Sequence, residues 1–165
     1  MPRHYYTVTW DQLHRAARAL AWRLIDHTPF RGIVAITRGG LIPAAIVARE
    51  MEVRLVETVS VLAYGRDEAE WTELGKPEVI KWPIAAGDGE GYLLIDDLVD
   101  TGTTAKVVRA LLPKAHFATV YSKPAGRTLV DTYVTEVSQD TWILFPWDTE
   151  PQFAVPLAKR EKHEE

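Results

Sequence analysis

The stretch from Tyr92 to Thr104 constrains the fold more than any other part of this 165-residue chain. Leu93, Leu94 and Ile95 form a short apolar run that reads as a buried strand, and Ala105 to Leu112 carries the apolar pattern of a helix. Between them stand three carboxylates, Asp96, Asp97 and Asp100, and then Thr101, Gly102, Thr103 and Thr104. A strand–turn–helix unit needs one Asp or Thr as a helix cap. An adjacent acid pair followed by a run of Thr and Gly exceeds that need. Hydroxyls and free N–H groups at the positive end of a helix dipole offer a seat to an anion, most naturally a phosphate. Asp96 and Asp97 fall at the carboxyl end of the strand, where open α/β sheets bind their ligands. Acceptors for sugar hydroxyls therefore lie one loop from a phosphate cradle, which suggests a ribose phosphate.

The remaining chain alternates strand and helix. Thr9 and Gln12 match a capping box, and Trp10, Leu13, Ala17, Leu20 and Leu24 keep one apolar face to about Ile25. Pro29 and Gly32 bracket a turn before a short buried strand, Ile33 to Ile36. The loop Thr37-Arg-Gly-Gly40 leads to a helix from Leu41 to Glu50, with Pro43 in its first turn. Arg54 to Leu62 alternates and is rich in Val and Leu, as a strand would be. Further strands are expected at 92–96, 116–121, 133–137 and 141–145. From Gly65 to Gly91 the sequence turns to charge, Gly and Pro, with Trp71 and Trp82 embedded, which reads as a long surface excursion with a mobile loop at 65–86. The charged end, 158–165, reads as a frayed tail. These elements fit one α/β domain over 1–165, with a mostly parallel sheet and helices on both faces.

Composition removes several function classes. Net charge is −4 with a pI near 5.7, so a nucleic-acid-binding surface is not expected. The absence of cysteine excludes disulfides and Cys-ligated zinc, and the five histidines show no metal-ligand spacing. No signal peptide stands out, and no apolar run is long enough to predict a transmembrane span. A P-loop signature is missing, and Gly87-Asp-Gly-Glu-Gly91 precedes its strand instead of following it, so it is no dinucleotide fingerprint.

Three further pieces carry chemistry. In Thr37-Arg-Gly-Gly40 the glycines let a ligand approach the backbone and Arg38 offers a fork for phosphate oxygens. A Gly-Gly strand-to-helix turn is common on its own. Lys123 ends a strand near the same sheet edge as Asp100, where it could donate to a carbonyl oxygen; a solvated Lys before a Pro turn is the blander reading. Trp142, in the aromatic run Asp140 to Asp148, could stack on a flat ring, gaining about 1–3 kcal/mol, or serve as a core or interface Trp.

The hydrophobic strand, acid pair and Asp-Thr-Gly-x-Thr order resemble the phosphoribosyl-pyrophosphate signature of the type I phosphoribosyltransferases. Thr7-Val-Thr-Trp-Asp11, the Arg-Gly-Gly loop, Gly87 to Gly91, Asp96 to Thr101, Lys123 to Arg127 and Asp140 to Ile143 are together similar to the bacterial xanthine-guanine branch of that family. The resemblance spans roughly residues 5–155 and is weakest across 65–86. It implies a central, mostly parallel sheet flanked by helices, with a small hood over a base site. It also implies transfer of a 5-phosphoribosyl group from magnesium-bound phosphoribosyl pyrophosphate to a 6-oxopurine, xanthine or guanine before hypoxanthine, giving a nucleoside monophosphate and pyrophosphate.

Carried onto this chain by motif, Arg38 and Gly39 become the pyrophosphate loop, in which the resemblance implies a cis peptide before the glycine. Asp96 and Asp97 would hold the ribose hydroxyls, with Asp97 in the Mg2+ shell, and Leu98 and Val99 continue that binding segment. Asp100 would be the general acid/base at purine N7. Thr101, Gly102, Thr103 and Thr104 would cradle the 5′-phosphate. Lys123 would donate to the purine 6-oxo group, Trp142 would stack on the ring, and the Ile143 backbone would read the 2-substituent. The resemblance further implies a homotetramer in the cytoplasm, with peripheral association at the inner membrane face in some members.

The chain departs from the pattern in places. Ala63-Tyr64 stands where the family's flexible loop usually begins Ser-Tyr, and that loop is longer here. Its basic pyrophosphate contact cannot be placed by spacing; Arg66 and Lys76 are the candidates. Thr103 replaces a frequent Gly, which a helix start tolerates. The rival readings are a non-catalytic or regulatory sensor of phosphoribosyl pyrophosphate on the same fold, and a hypoxanthine-preferring enzyme. The presence of Asp100, Lys123 and Trp142 argues against the sensor.

Overall fold

The computed structural model describes residues 4–62 and 77–148. Three apolar runs, within 32–37, 92–99 and 116–122, are buried side by side at the centre of the fold. The strands are β1 (His4–Thr7), β2 (Gly32–Thr37), β3 (Val56–Leu62), β4 (Glu78–Lys81), β5 (Tyr92–Val99), β6 (His116–Ser122), β7 (Thr132–Glu136) and β8 (Thr141–Leu144). The α-helices are α1 (Trp10–Leu24), α2 (Leu41–Glu50) and α3 (Thr103–Leu111). Six strands form one sheet in the order β4-β3-β2-β5-β6-β7, all parallel except the antiparallel pair β3–β4.

Alternation along the buried strands divides the apolar side chains between two layers. Ile33 and Ala35 of β2 and Leu93 and Ile95 of β5 pack against Leu13, Leu20 and Leu24 of α1 and Ala44 and Val47 of α2. Val34 and Ile36, Leu94 and Phe117 point the other way, onto Ala105, Val108 and Leu112 at α3. Helices thus cover both faces, as a parallel sheet requires. α1 begins where its capping box places it: the Thr9 hydroxyl accepts from the Gln12 N–H at 3.2 Å, and the Thr9 N–H donates to Gln12 Oε1 at 2.9 Å.

The connection from β2 runs to β3 on one side, whereas β5 lies on the other side of β2. Strand order therefore reverses between β2 and β5, and the crevice above that point is where such sheets bind ligands. The loop 37–40 leaves the end of β2 and the segment 96–104 leaves the end of β5, so both phosphate-like motifs reach the same crevice.

Several boundaries differ from expectation. β5 continues to Val99 instead of ending near Asp96, because β6 pairs with it as far as Val99–Ser122 while β2 pairs only to Ile95. Asp96 and Asp97 consequently lie within the strand, where it has left the β2 ladder. α3 begins at Thr103, two residues earlier than its apolar pattern suggests. The excursion holds more structure than its composition promised. Residues 63–76 lie outside the described residues, but 78–81 form β4 on the edge of β3, followed by a 3-10 turn at Ile84–Ala86. Lys81 fixes that edge by donating to Glu57 Oε1 at 2.6 Å and to the Thr58 carbonyl at 2.8 Å. The Lys81 ammonium also holds the Glu57 carboxyl below its usual range. The expected frayed tail, 158–165, lies outside the described residues.

Arg109 ties the phosphate-loop helix to the sheet. Its guanidinium donates to the carbonyls of Ala115 at 2.7 Å and Leu129 at 3.0 Å and to Asp131 Oδ2 at 2.8 Å, with its carbon 5.4 Å from the Phe117 ring centroid. Burial would raise the Asp131 carboxyl, but the Phe117 N–H and Arg109 outweigh it and hold the group below its usual range. Arg109→Met, which keeps the stem and removes the donors, is expected to cost about 2–3 kcal/mol in urea denaturation with an unchanged m-value. A loss within experimental error would mean that Arg109 does not anchor α3.

Candidate functional site

At the crevice, the loop after β2 and the end of β5 touch directly. A Cβ at Gly39 would overlap the Asp97 carboxylate, so only glycine fits between the loop and that acid. Gly40 is equally confined, since a Cβ there would meet the carbonyls of Ile95 and Ile36. The Thr37 hydroxyl donates to Ser60 Oγ at 2.7 Å, anchoring the loop to β3. The Thr37–Arg38 peptide is cis, ahead of Arg38 and not directly ahead of Gly39. Arg38 is exposed; its carbonyl accepts from the Leu41 N–H at 3.1 Å, and its guanidinium has no hydrogen-bond or ion-pair partner among the described residues.

Asp96 and Asp97 sit where protein surrounds them on most sides. Burial pushes the Asp96 carboxyl well above its ordinary range, and the adjacent Asp97 charge adds to the shift. Burial also raises Asp97, to about 6, with the Asp148 charge acting in the same direction. The pair therefore holds its negative charge reluctantly, and a cation placed there would relieve it. Among the described residues no cluster of three or more His, Cys, Asp or Glu could hold a metal alone. One or two carboxylates completed by substrate oxygens is nevertheless a donor set that suits magnesium, so the residues present fit that ion.

Asp100 follows β5 directly, and the turn after β6 is built around it. Lys123 N–H donates to the Val99 carbonyl at 2.9 Å, and a Cβ at Gly126 would meet Val99 and the Asp100 carbonyl. This close approach brings the Lys123 ammonium, 4% exposed as a residue, to 2.9 Å from Asp100 Oδ2. The solvated-Lys reading of the sequence does not hold. The structure buries Lys123 and pairs it with the acid.

Gly102 caps α3 at φ +88°, a conformation that favours glycine. The leading N–H groups of α3 have no intrahelical acceptor, and the hydroxyls of Thr101 and Thr103 lie 3.1 Å apart beside them. Thr103 and Thr104 belong to the first helical turn, whereas Leu98 and Val99 belong to β5. Opposite, β1 and β8 form a separate two-stranded parallel sheet, the expected hood, with Tyr5 beside Trp142 and Tyr6 beside Ile143. Trp142 is 47% exposed and Ile143 is buried. Trp147 is partly covered and stacks on Phe145 at 4.7 Å. Trp82 is exposed, while Arg66, Lys76 and Trp71 lie outside the described residues.

Two residues at this site escaped sequence reasoning. Gln139 Nε2 donates to Asp100 Oδ1 at 2.8 Å, although 39 positions separate them, and no local pattern marks such a pair. Asp148 accepts from the Phe145 N–H at 2.8 Å and presents its charge toward Asp97. Its only sequence signal was its place after an aromatic run.

A parallel sheet with a reversal between β2 and β5, an acid pair under a Gly-Gly loop and a Thr-rich helix start define a type I phosphoribosyltransferase fold. The family model for the phosphoribosyl transferase domain matches residues 9–154. The chain is 62% identical over 158 residues to a xanthine-guanine phosphoribosyltransferase of Desulfotalea psychrophila, covering 95% of this chain and 94% of that protein. It is 64% identical over 159 residues to the protein of the same name from Gluconobacter oxydans, covering 96% and 93%. A solved purine phosphoribosyltransferase from Pyrococcus horikoshii superposes with a TM-score of 0.75 at 28% identity, covering 92% of this chain and 99% of that one. The chain belongs to the phosphoribosyl transferase domain family and, within it, to the xanthine-guanine phosphoribosyltransferases.

Proposed function

We propose that the protein transfers the 5-phosphoribosyl group of phosphoribosyl pyrophosphate to xanthine or guanine, and more weakly to hypoxanthine, releasing pyrophosphate. The observation that carries this reading is the Asp100–Lys123 pair, one residue before the Thr-Gly-Thr-Thr turn. It sets an acid, a cation and a phosphate seat within one crevice.

Each group then has a chemical task. Thr101 to Thr104 and the α3 N-terminus hold the 5′-phosphate. The carboxylates of Asp96 and Asp97 accept the ribose 2- and 3-hydroxyls, and Asp97 is the residue to hold magnesium together with substrate oxygens. When bound, that ion supplies charge neutralisation to the departing pyrophosphate. Arg38 and the backbone at Gly39 receive the pyrophosphate oxygens, with Arg66 or Lys76 as further basic contacts. As the C1′ bond to pyrophosphate breaks and positive charge grows on the sugar, Asp100 takes the proton from purine N7. Lys123, oriented by Asp100, donates to the 6-oxo oxygen. Trp142 stacks on the base and the Ile143 backbone meets the 2-substituent. The reading also carries a homotetramer working in the cytoplasm. No helix among the described residues is long and apolar enough to cross a membrane.

Lys123 makes a definite specificity test. An ammonium has only donors, so it bonds a 6-oxo oxygen and opposes the 6-amino group of adenine. Initial rates with phosphoribosyl pyrophosphate and Mg2+ are expected to show turnover of xanthine, guanine and hypoxanthine, with adenine slower by about 10⁴-fold. Comparable adenine turnover would overturn the Lys123 assignment. Failure of every base, with sugar-pyrophosphate binding intact, would overturn the enzyme reading.

A further inference from the structure

The hood and the Asp100 carboxylate are joined by one side chain. Gln139 lies in the turn before β8, and its amide is used at both ends. Oε1 accepts from the Ala125 N–H at 3.0 Å, and Nε2 donates to Asp100 Oδ1 at 2.8 Å. The two partners fix the orientation of the amide, since the flipped form would set oxygen against carboxylate and NH2 against N–H. The turn that carries Gln139 is itself pinned. Ser138 Oγ donates to Asp140 Oδ1 at 2.6 Å and lies 2.7 Å from Thr141 Oγ1, and the Thr141 N–H donates to the Ser138 carbonyl at 3.1 Å. Gln139 is solvent-exposed in this structure, so packing does not account for its placement.

We infer that Gln139 is a positioning residue for the phosphoribosyl transfer, holding the Asp100 carboxylate in plane and at a set distance from the hood strand that carries Trp142 and Ile143. Lys123 already occupies Asp100 Oδ2. With Lys123 alone the carboxylate could still turn about its own bonds, and the second donor, on Oδ1, stops that rotation. Each oxygen keeps a further lone pair, so Oδ1 can accept the purine N7 proton while Gln139 remains in place. The same amide spans from the β6 turn to the hood, so base-stacking surface and proton acceptor are set by a single ruler. This inference rests on the proposed role of Asp100 as the base.

The test compares Gln139→Glu with Gln139→Ala, alone and combined with Asp100→Asn, in the full chain. Glutamate matches glutamine in shape and still accepts from the Ala125 N–H, but it cannot donate to Asp100 and sets like charge against it. Gln139→Glu is expected to lower kcat by about tenfold or more, and Gln139→Ala by somewhat less, from loss of a hydrogen bond to a charged group. KM for phosphoribosyl pyrophosphate should stay unchanged, because the phosphate turn 101–104 makes no hydrogen bond to Gln139. In the Asp100→Asn background the penalty should vanish, the non-additivity expected of two groups acting as one. A penalty of full size in that background would overturn the inference, as would parent-like kcat in both single variants. A kcat loss matched by an equal rise in KM for phosphoribosyl pyrophosphate would overturn it too, as general disruption of the site. Asp100→Asn alone at the parent rate would instead overturn the reading of Asp100 on which it rests.

Discussion

Asp100→Asn is expected to lower kcat by about 10²–10⁴-fold while leaving phosphoribosyl pyrophosphate bound. Asparagine keeps one acceptor oxygen but cannot take a proton, so on the proposed role of Asp100 the N7 proton loses its acceptor as the glycosidic bond forms. The substitution also faces a buried Lys123 with a neutral amide. If the amide oxygen stays with Gln139, the amide nitrogen opposes the ammonium, so some loss of melting temperature should accompany the kinetic loss. Calorimetric titration with phosphoribosyl pyrophosphate and Mg2+ separates the two effects. The turn 101–104 is carried by α3, which Arg109 anchors independently, so affinity for the sugar should remain near the parent value. A variant that turns over normally would remove Asp100 from the chemistry. One that binds no sugar pyrophosphate would make it a structural residue.

Gly39→Ala is the second large effect. The added methyl has no room, because the Asp97 carboxylate occupies the place where the Cβ must go. The backbone is held on both sides. Asp97 is continuous with β5, and Thr37 is tied to Ser60 at the start of the same loop. Either the carboxylate turns aside or the loop parts from it, and both separate the proposed pyrophosphate contact from the proposed magnesium ligand. Displacements of that size cost about 100-fold in rate, and the loss should appear in kcat/KM for phosphoribosyl pyrophosphate. The overall fold should survive, since Gly39 lies beyond the last buried residue of β2. Far-ultraviolet circular dichroism like that of the parent, together with the kinetic loss, is the expected result. An unaffected kcat/KM would show that the loop does not meet the pyrophosphate.

These effects track what the sequence could and could not say. The capping box of α1, the Gly-Gly loop and the acid pair are local signals, readable because the residues that cooperate are neighbours. The same holds for the phosphate turn, where Gly102 needs a left-handed conformation that glycine best supplies. β4 was hidden because four residues bearing Glu78 and Lys81 show no apolar run, and its stability comes from Glu57 on another strand. The extension of β5 past the acids depended on β6 pairing beyond the end of β2, a matter of register between distant segments. Gln139 and Asp148 were silent for the same reason: their partners, Asp100 and the Asp97 environment, are brought near only by the fold. Lys123 was legible as a candidate, but its burial against Asp100 came from Gly126 permitting a close turn.

The hood places a constraint on synthesis. β1 is made before every strand of the six-stranded sheet, yet its hydrogen-bonding partner, β8, follows all of them. Closing so wide a loop costs entropy that only a nearly finished core can offset. On the ribosome, β2, β3, β5 and β6 can therefore assemble the crevice while β1 waits unpaired, and the hood forms only after Leu144 has emerged. A nascent chain stalled before β8 would carry the acid pair and the Thr-rich turn without the paired hood. The β1–β8 sheet is thus completed after the crevice beside which it stands.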